Sequence, residues 1–311
     1  MKAAIINHYG NSEAIELVEN YPIPEAKEGQ VVIEVHAASL NRIDSAIRSG
    51  YMQQMLPVAF PVILGGDFSG IIQKVGSNVE DFNVGDEVYG QAGLLMGGTG
   101  SFANYIVASA SKLAIKPQSL NMTQAAAFPL AGTSALQAIE EHMNIQPGQK
   151  VLIHGGVGAI GSLAIQLAKY HGAFVATTVD GKDVELAHSL GADLVIDYKT
   201  QSYTAMIHDY DAVLATVATA LPCSYTVIKK GGVLVSLAAP VEEKDAKDNE
   251  VSAIMQFTRS DTKQLERLAI LIDSGKIKPL IDATFKLSEI KNAFNYFEQQ
   301  HPKGKVVINI K

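Results

Sequence analysis

Three glycines spaced as Gly156-x-Gly158-x-x-Gly161 stand between an apolar run, Val151 to Ile153, and an apolar helical pattern that opens near Leu163. Strand, glycine turn and helix, in that order, can hold a dinucleotide pyrophosphate. On this reading Gly156 permits the tight turn, Gly158 lets backbone approach the phosphates, and Gly161 lets the helix pack on the strand. The helix start, at Ala159 and Ile160, then offers unpaired N–H groups and the positive end of the helix dipole to the anion. Phe174 to Val179 reads as a second strand that ends at Asp180, where a ribose-binding carboxylate is expected. A glycine triplet alone is weak, because a turn that binds nothing has the same spacing. The flanking elements give it weight.

Those elements need a scaffold. The 311 residues suffice for two domains, and 47% hydrophobic with 18% charged residues describes an ordinary globular chain with real cores. Net charge is −7 and no long basic run occurs, which argues against nucleic acid as a partner. The single cysteine, Cys223, excludes an intrachain disulfide and any cysteine-rich zinc site, and fits a reducing compartment. The apolar start, Ala3 to Ile6, is too short for a signal peptide or a membrane span, so a cytoplasmic location without membrane contact is expected.

Residues 1–122 look β-rich, with candidate strands at 2–7, 30–38 and 70–75 and turn signals at Pro22, Gly65-Gly66, Gly76 and Gly85. That pattern suggests a partly closed barrel. The glycine-rich stretch Gln91 to Ser101 carries Leu94, Leu95 and Met96, which could either close over a substrate or tuck into the core. From 123 the period changes. Helical segments are followed by alternating strands and helices up to about 237, the signature of a parallel doubly wound sheet. The helix 261–274 is expected to close that sheet, and 240–250 reads as a solvated charged loop. After Gly275 an extended segment, a helix at 288–300 and a strand at 304–310 could return to the first domain. The expected organisation is α/β: a barrel domain of 1–122 and 275–311 around a Rossmann domain of 123–274.

Several stretches carry a family resemblance: VHAASLNRIDSAIRSG (35–50), PVILGGDFSGIIQKV (61–75), FNVGDEVYG (82–90), QAAAFPLAGTSALQA (124–138), LGADLVIDY (190–198) and GKVVI (304–308), together with the glycine turn. The chain resembles the zinc-independent medium-chain dehydrogenase/reductases, the quinone oxidoreductase-like group, over nearly its whole length. The resemblance implies a GroES-like β-barrel domain, a Rossmann domain, an active site in the cleft and a homodimer. Zinc-dependent relatives have cysteine where Asn41 stands and Gly-His-Glu where Gly65-Gly66-Asp67 stands, so the resemblance implies no zinc. One carboxylate cannot supply the three protein ligands of catalytic zinc.

Hydride transfer to an acceptor develops negative charge on its oxygen, which calls for aimed hydrogen-bond donors. Asn41 matches the family's active-site asparagine; a turn asparagine capping local backbone is the competing account. Tyr51 could line the cleft or donate a proton, or be an ordinary packed aromatic. Thr133 matches a position near the nicotinamide, with helix capping as the alternative. Met96 and Phe257 are candidate apolar walls for the substrate.

The resemblance also bears on cofactor choice. Its NADP pattern here is Thr-x-Ser-Gly-Lys, against Thr178-Val-Asp180-Gly-Lys182 in this chain, and Tyr198 matches a tyrosine beside the 2′-phosphate. Thr178, Lys182 and Tyr198 favour NADP(H), and a lysine suits that phosphate as a point charge. Asp180 departs from the pattern and leaves NAD(H) possible, since a carboxylate there binds the ribose 2′-hydroxyl and repels a phosphate. Pairing of Asp180 with Lys182 would relieve the repulsion. The leading expectation is an NADP(H)-dependent reductase of quinones or of conjugated enones and alkenals. An enoyl-thioester reductase and a non-catalytic NADP(H)-binding redox sensor are the alternatives.

Overall fold

The computed structural model describes residues 1–311. The chain divides into two compact units: Met1–Leu130 with Ser260–Ser274 and Pro279–Lys311, and Ala131–Arg259 with Gly275–Lys278.

The first unit begins with β1 (Ala3–Ile6), β2 (Ile15–Val18), β3 (Gln30–Ser39), α1 (Arg42–Arg48), β4 (Val62–Ile63), β5 (Asp67–Val75), β6 (Glu87–Gln91), β7 (Tyr105–Ser109), β8 (Leu113–Ile115) and α2 (Met122–Ala125). The chain then forms α3 (Pro129–Leu136), which continues as a π-helical stretch to His142. In the second unit follow β9 (Lys150–His154), α4 (Ala159–Tyr170), β10 (Phe174–Val179), α5 (Val184–Ser189), β11 (Leu194–Asp197), α6 (Tyr203–Met206), β12 (Tyr210–Ala215), α7 (Leu221–Ser224), β13 (Ile228–Ser236), α8 (Glu243–Asp248) and β14 (Ser252–Met255). The chain returns to the first unit through α9 (Thr262–Asp273), β15 (Ile281–Lys286), α10 (Ile290–Gln299) and β16 (Lys305–Asn309).

In the second unit the strands lie in the order β11-β10-β9-β12-β13-β14, every pair parallel. Their centres are apolar on both faces, as the continuous runs Val151–Ile153 and Val213–Leu214 require of a sheet covered by helices. Leu152, Ala176, Ile196, Val213 and Leu234 share one core on this sheet.

The first unit holds a seven-stranded sheet in the order β15-β16-β3-β5-β6-β8, with β7 also on β3, and a small sheet β2-β1-β4. Val31, Ile33 and Val35 alternate inward along β3 and meet Phe68, Ile72, Val88 and Ile106. The C-terminal tail does return here. β16 runs antiparallel to β3 with Ile308 opposite Ala38, and Phe294 and Val306 pack with Ala3, Ile6 and Phe102.

Two expectations differ from the packing. The helix 261–274, assigned above to the Rossmann sheet, packs on β8 as α9: Thr262 Oγ1 donates to Leu113 O at 2.9 Å, Tyr89 Oη donates to Leu265 O at 2.6 Å, and Asp273 accepts from Ser119. Its apolar stripe of Leu265, Leu268 and Leu271 says only that it must be buried, not against which unit. The charged stretch 240–250 forms α8, stitched by the i,i+4 pairs Lys244–Asp248 and Lys247–Glu243 at 2.7 Å for the second. No helix is long and apolar enough to cross a membrane.

Candidate dinucleotide site and buried polar network

In the second unit the turn between β9 and α4 is built from close approaches that only glycine allows. Gly155 carries the left-handed conformation, with φ 69°, so the tight turn is made one residue before the glycine assigned to it from the sequence. Gly156 is needed for a different reason. A Cβ there would lie 2.1 Å from Thr177 Oγ1. At Gly161 a Cβ would meet Gly155 O at 2.2 Å, so this glycine lets α4 close on the turn. At Gly158 a Cβ would meet only Gly155 O, at 3.2 Å, a tight approach to backbone but a milder one than at Gly156 or Gly161. Gly158 is also the N-cap of α4, whose first N–H groups, at Ala159 and Ile160, have no partner within the helix. A turn packed tight at Gly156 and Gly161 beneath the unbonded N–H groups of a helix N-terminus fits a dinucleotide phosphate.

His154, at the end of β9, underpins the turn. Its Nδ1 lies 3.0 Å from Thr178 Oγ1, its Nε2 lies 3.1 Å from Ser224 Oγ, and its ring meets Tyr203 edge-on at 4.8 Å. Burial pushes its pKa down to about 4, so the ring is neutral. Thr178 is buried, and its hydroxyl also accepts from Gly155 N at 3.4 Å. This threonine therefore holds the glycine turn from below.

Beyond β10, Asp180 caps a short turn. Its Oδ2 lies 2.8 Å from Lys199 Nζ and 3.8 Å from Lys182 Nζ. The Lys199 hydrogen bond, reinforced by Lys182, holds the carboxyl below its ordinary range. The pairing expected with Lys182 is present, but the shorter contact comes from a lysine that the sequence reading did not single out. Tyr198 is exposed beside it, and its N–H donates to Val179 O at 3.1 Å. Thr133 stands one turn inside α3 and is fully buried, so it is not a helix cap. Phe257 is 76% exposed.

The first unit contains a buried polar network that strand register assembles. Ser39 on β3 faces Asp67 on β5, and Asp67 faces Gln91 on β6, so the three side chains share one face of the sheet. On the other side β16 pairs Val307 with Ser39, which brings Lys305 to the end of β3, beside Leu40 and Asn41. Asp67 is fully buried. Its Oδ1 accepts from Gln91 Nε2 and from the Leu130 N–H, both at 2.9 Å. Its Oδ2 accepts from Asn41 Nδ2 at 2.9 Å and from Lys305 Nζ at 3.0 Å, with Ser39 Oγ at 3.1 Å.

The Lys305 ammonium, 3% exposed, also donates to Leu40 O at 2.9 Å and to Asn41 Oδ1 at 2.6 Å. An ammonium can only donate, so the atom of Asn41 facing it is the amide oxygen, and the nitrogen is turned to Asp67. Asn41 is the N-cap of α1 and is 9% exposed. Its own N–H donates to Asp44 Oδ2 at 2.8 Å, and Asp44 Oδ1 accepts from Gly65 N at 3.2 Å. Burial pushes the Asp44 carboxyl up to about 7. Tyr51 lies beyond α1 and is 88% exposed; Met96 sits half-buried in the short turn Leu94–Met96.

Sequence reasoning reached Asn41 but passed over Lys305, Gln91, Ser39 and Lys199. A lysine opening the apolar strand Lys305-Val-Val-Ile was the available signal for the first of these. No three His, Cys, Asp or Glu side chains come together as a metal site.

Comparison with known proteins places this geometry. Residues 27–118 match the family described as "Alcohol dehydrogenase GroES-like domain", and residues 190–308 match "Zinc-binding dehydrogenase". The "NADPH-dependent alkenal/one oxidoreductase, chloroplastic" of Arabidopsis thaliana is 36% identical over 316 residues, spanning 99% of this chain and 79% of that protein. The "2-methylene-furan-3-one reductase" of Solanum lycopersicum is 35% identical over 317 residues, with the same coverage of 99% and 79%. Among solved structures, the quinone oxidoreductase from Coxiella burnetii superposes with a TM-score of 0.92 at 34% identity, covering 100% of this chain and 99% of that one. Identity at this level, carried across almost the whole length and joined to the same fold, means that this chain belongs to the quinone oxidoreductase-like branch of the medium-chain dehydrogenase/reductases.

Proposed function

We propose that the chain is an NADP(H)-dependent reductase of quinones or of conjugated enones and alkenals, acting without zinc as a homodimer. The observation that carries the reading is the glycine turn of β9–α4, packed tight at Gly156 and Gly161 beneath the N-terminus of α4, in a chain 36% identical to an oxidoreductase named for NADPH and alkenal/one substrates. Bound NADPH would supply a hydride from nicotinamide C4.

The chain's own part is binding, orientation and charge stabilisation. Gly158 and the first N–H groups of α4 would hold the pyrophosphate. Lys182 and Tyr198 would take the 2′-phosphate end. Asn41 has two amide N–H groups; Asp67 takes one, and the other is the candidate donor to an acceptor oxygen that gains charge. Lys305 and Asp67 lock the amide so that this donor needs no reorganisation when charge develops. An ammonium lies against Asp67, which supports a site that works without a divalent cation. β14 ends the six-stranded sheet, and such an edge is a ready template for a second copy of the chain.

Turnover of quinones and enones with NADPH tests the reading directly. Asn41→Ala should lower kcat/KM by about 100-fold, the cost of removing one aimed donor, with NADPH affinity changed less than about twofold. Unchanged kinetics would remove Asn41 from the active site, and absence of turnover with every quinone and enone tried would reject the enzyme reading.

A further inference from the structure

A carboxylate after the second strand of this fold ordinarily selects against a 2′-phosphate, because two anions would share one site. Asp180 occupies that position, yet the structure surrounds it with positive charge. Lys199 Nζ donates to Asp180 Oδ2 at 2.8 Å, Lys182 Nζ lies 3.8 Å from the same oxygen, and the Lys182 N–H lies 3.5 Å from Oδ1. Asp180 is thus met by two ammonium groups, and with the Asp197 carboxylate in the adjoining turn the four charges balance, so the carboxylate at this position is compensated.

The placement of Lys199 is built. The turn after β11 is tied by Asp197, whose Oδ1 accepts from Lys199 N at 3.0 Å and whose Oδ2 accepts from Thr200 Oγ1 at 2.8 Å. Asp197 N in turn donates to Gln201 Oε1 at 3.0 Å. Gly181 keeps the turn after β10 clear of this carboxylate: a Cβ there would sit 2.6 Å from Asp197 Oδ2 and would displace it. The two turns thus bring residues 180 and 199 together across parallel strands whose register pairs Val179 with Asp197. Asp180 holds the Lys199 amine above its ordinary range, and Lys199 is the first cause of the lowering at Asp180, so both remain charged around neutral pH.

We propose that Lys199 is a specificity-determining residue for the cofactor: its shorter pairing with Asp180 compensates the carboxylate that would exclude a 2′-phosphate, so that Lys182, only 3.8 Å from that carboxylate, can turn to the phosphate. The inference rests on the NADP(H) reading above. An exposed pair of this kind adds little to fold stability, so its variants should remain folded. Its effect is on a ligand group that carries nearly two negative charges.

The test is titration of reduced nicotinamide fluorescence, which the absence of tryptophan in this chain leaves free of indole emission. NADPH and NADH are titrated into the wild type, Lys199→Ala, Asp180→Ser and the double variant, with circular dichroism to confirm folding. In Lys199→Ala the NADPH Kd should rise about tenfold, the order expected when a like charge beside the phosphate loses its counter-ion, while the NADH Kd stays within about twofold. In the double variant NADPH binding should recover to within about threefold of wild type, because the uncompensated carboxylate is gone. A wild type that prefers NADPH, combined with equal losses of both cofactors in Lys199→Ala or no recovery in the double variant, overturns the role of Lys199 and leaves the NADP(H) reading standing. A wild type with no preference for NADPH overturns both.

Discussion

Replacing Lys305 by methionine removes one partner of a buried ion pair while nearly conserving volume. Lys305 is 3% exposed and Asp67 is fully buried, so the carboxylate left behind has no access to water. Breaking such a pair costs about 3–5 kcal/mol, most of it the penalty of an uncompensated buried charge. Here Gln91, Asn41 and the Leu130 N–H continue to donate to Asp67, so the lower end, about 3 kcal/mol, is expected. Asp67→Asn strands the ammonium instead, with Leu40 O and Asn41 Oδ1 as its remaining acceptors, and should cost a similar amount. The double variant buries no net charge. Its loss should fall short of the sum of the two single losses by about 2 kcal/mol, the range found for residues in one network. Urea unfolding followed by circular dichroism measures the three losses, and hydrogen exchange in β3, β5 and β16 localises them to the first unit. Losses below about 1 kcal/mol for Lys305→Met, or strict additivity in the double variant, would refute the claim that this pair organises the network around Asn41.

Two pH effects of opposite sign follow from burial. Asp44 has its pKa raised from 3.8 to about 7, so its contribution to stability is full below about pH 4 and is lost as pH rises through 7. The stability of wild type relative to Asp44→Asn should therefore fall across that window, by a few kcal/mol, and a flat difference in thermal melts would refute it. His154 has its pKa lowered from 6.5 to about 4, so its contribution is full above pH 6.5 and is lost as pH falls through 4; stability relative to His154→Gln should rise across that range. At the glycine turn, Gly161→Ala forces a Cβ to within 2.2 Å of backbone and should destabilise the second unit by more than about 2 kcal/mol. Gly158→Ala brings its Cβ only to 3.2 Å of one backbone oxygen, so it should destabilise less than Gly161→Ala while dinucleotide affinity drops at least about tenfold; equal effects of the two substitutions on stability would contradict the assigned roles.

The amino-acid sequence by itself determined the local order of elements and the chemistry of the glycine turn. Both rest on short-range physics: the period of apolar residues, the space a Cβ requires, and the dipole at a helix start. Asp180 was visible for the same reason, because it stands at a fixed distance from the glycine turn, whereas Asn41 was visible only through the family resemblance of residues 35–50. Only the tertiary structure decided what those two residues meet. Lys305 reaches Asn41 from 264 residues away through the register of β16 on β3, and Lys199 reaches Asp180 through two turns on neighbouring parallel strands. Register depends on how whole strands bury their apolar faces, which no window of a few residues contains. The same limit explains α9, whose amphipathic pattern required a partner without naming it. It explains Gly155 as well, since two adjacent glycines can each make a turn, and the strand behind them selects which one does.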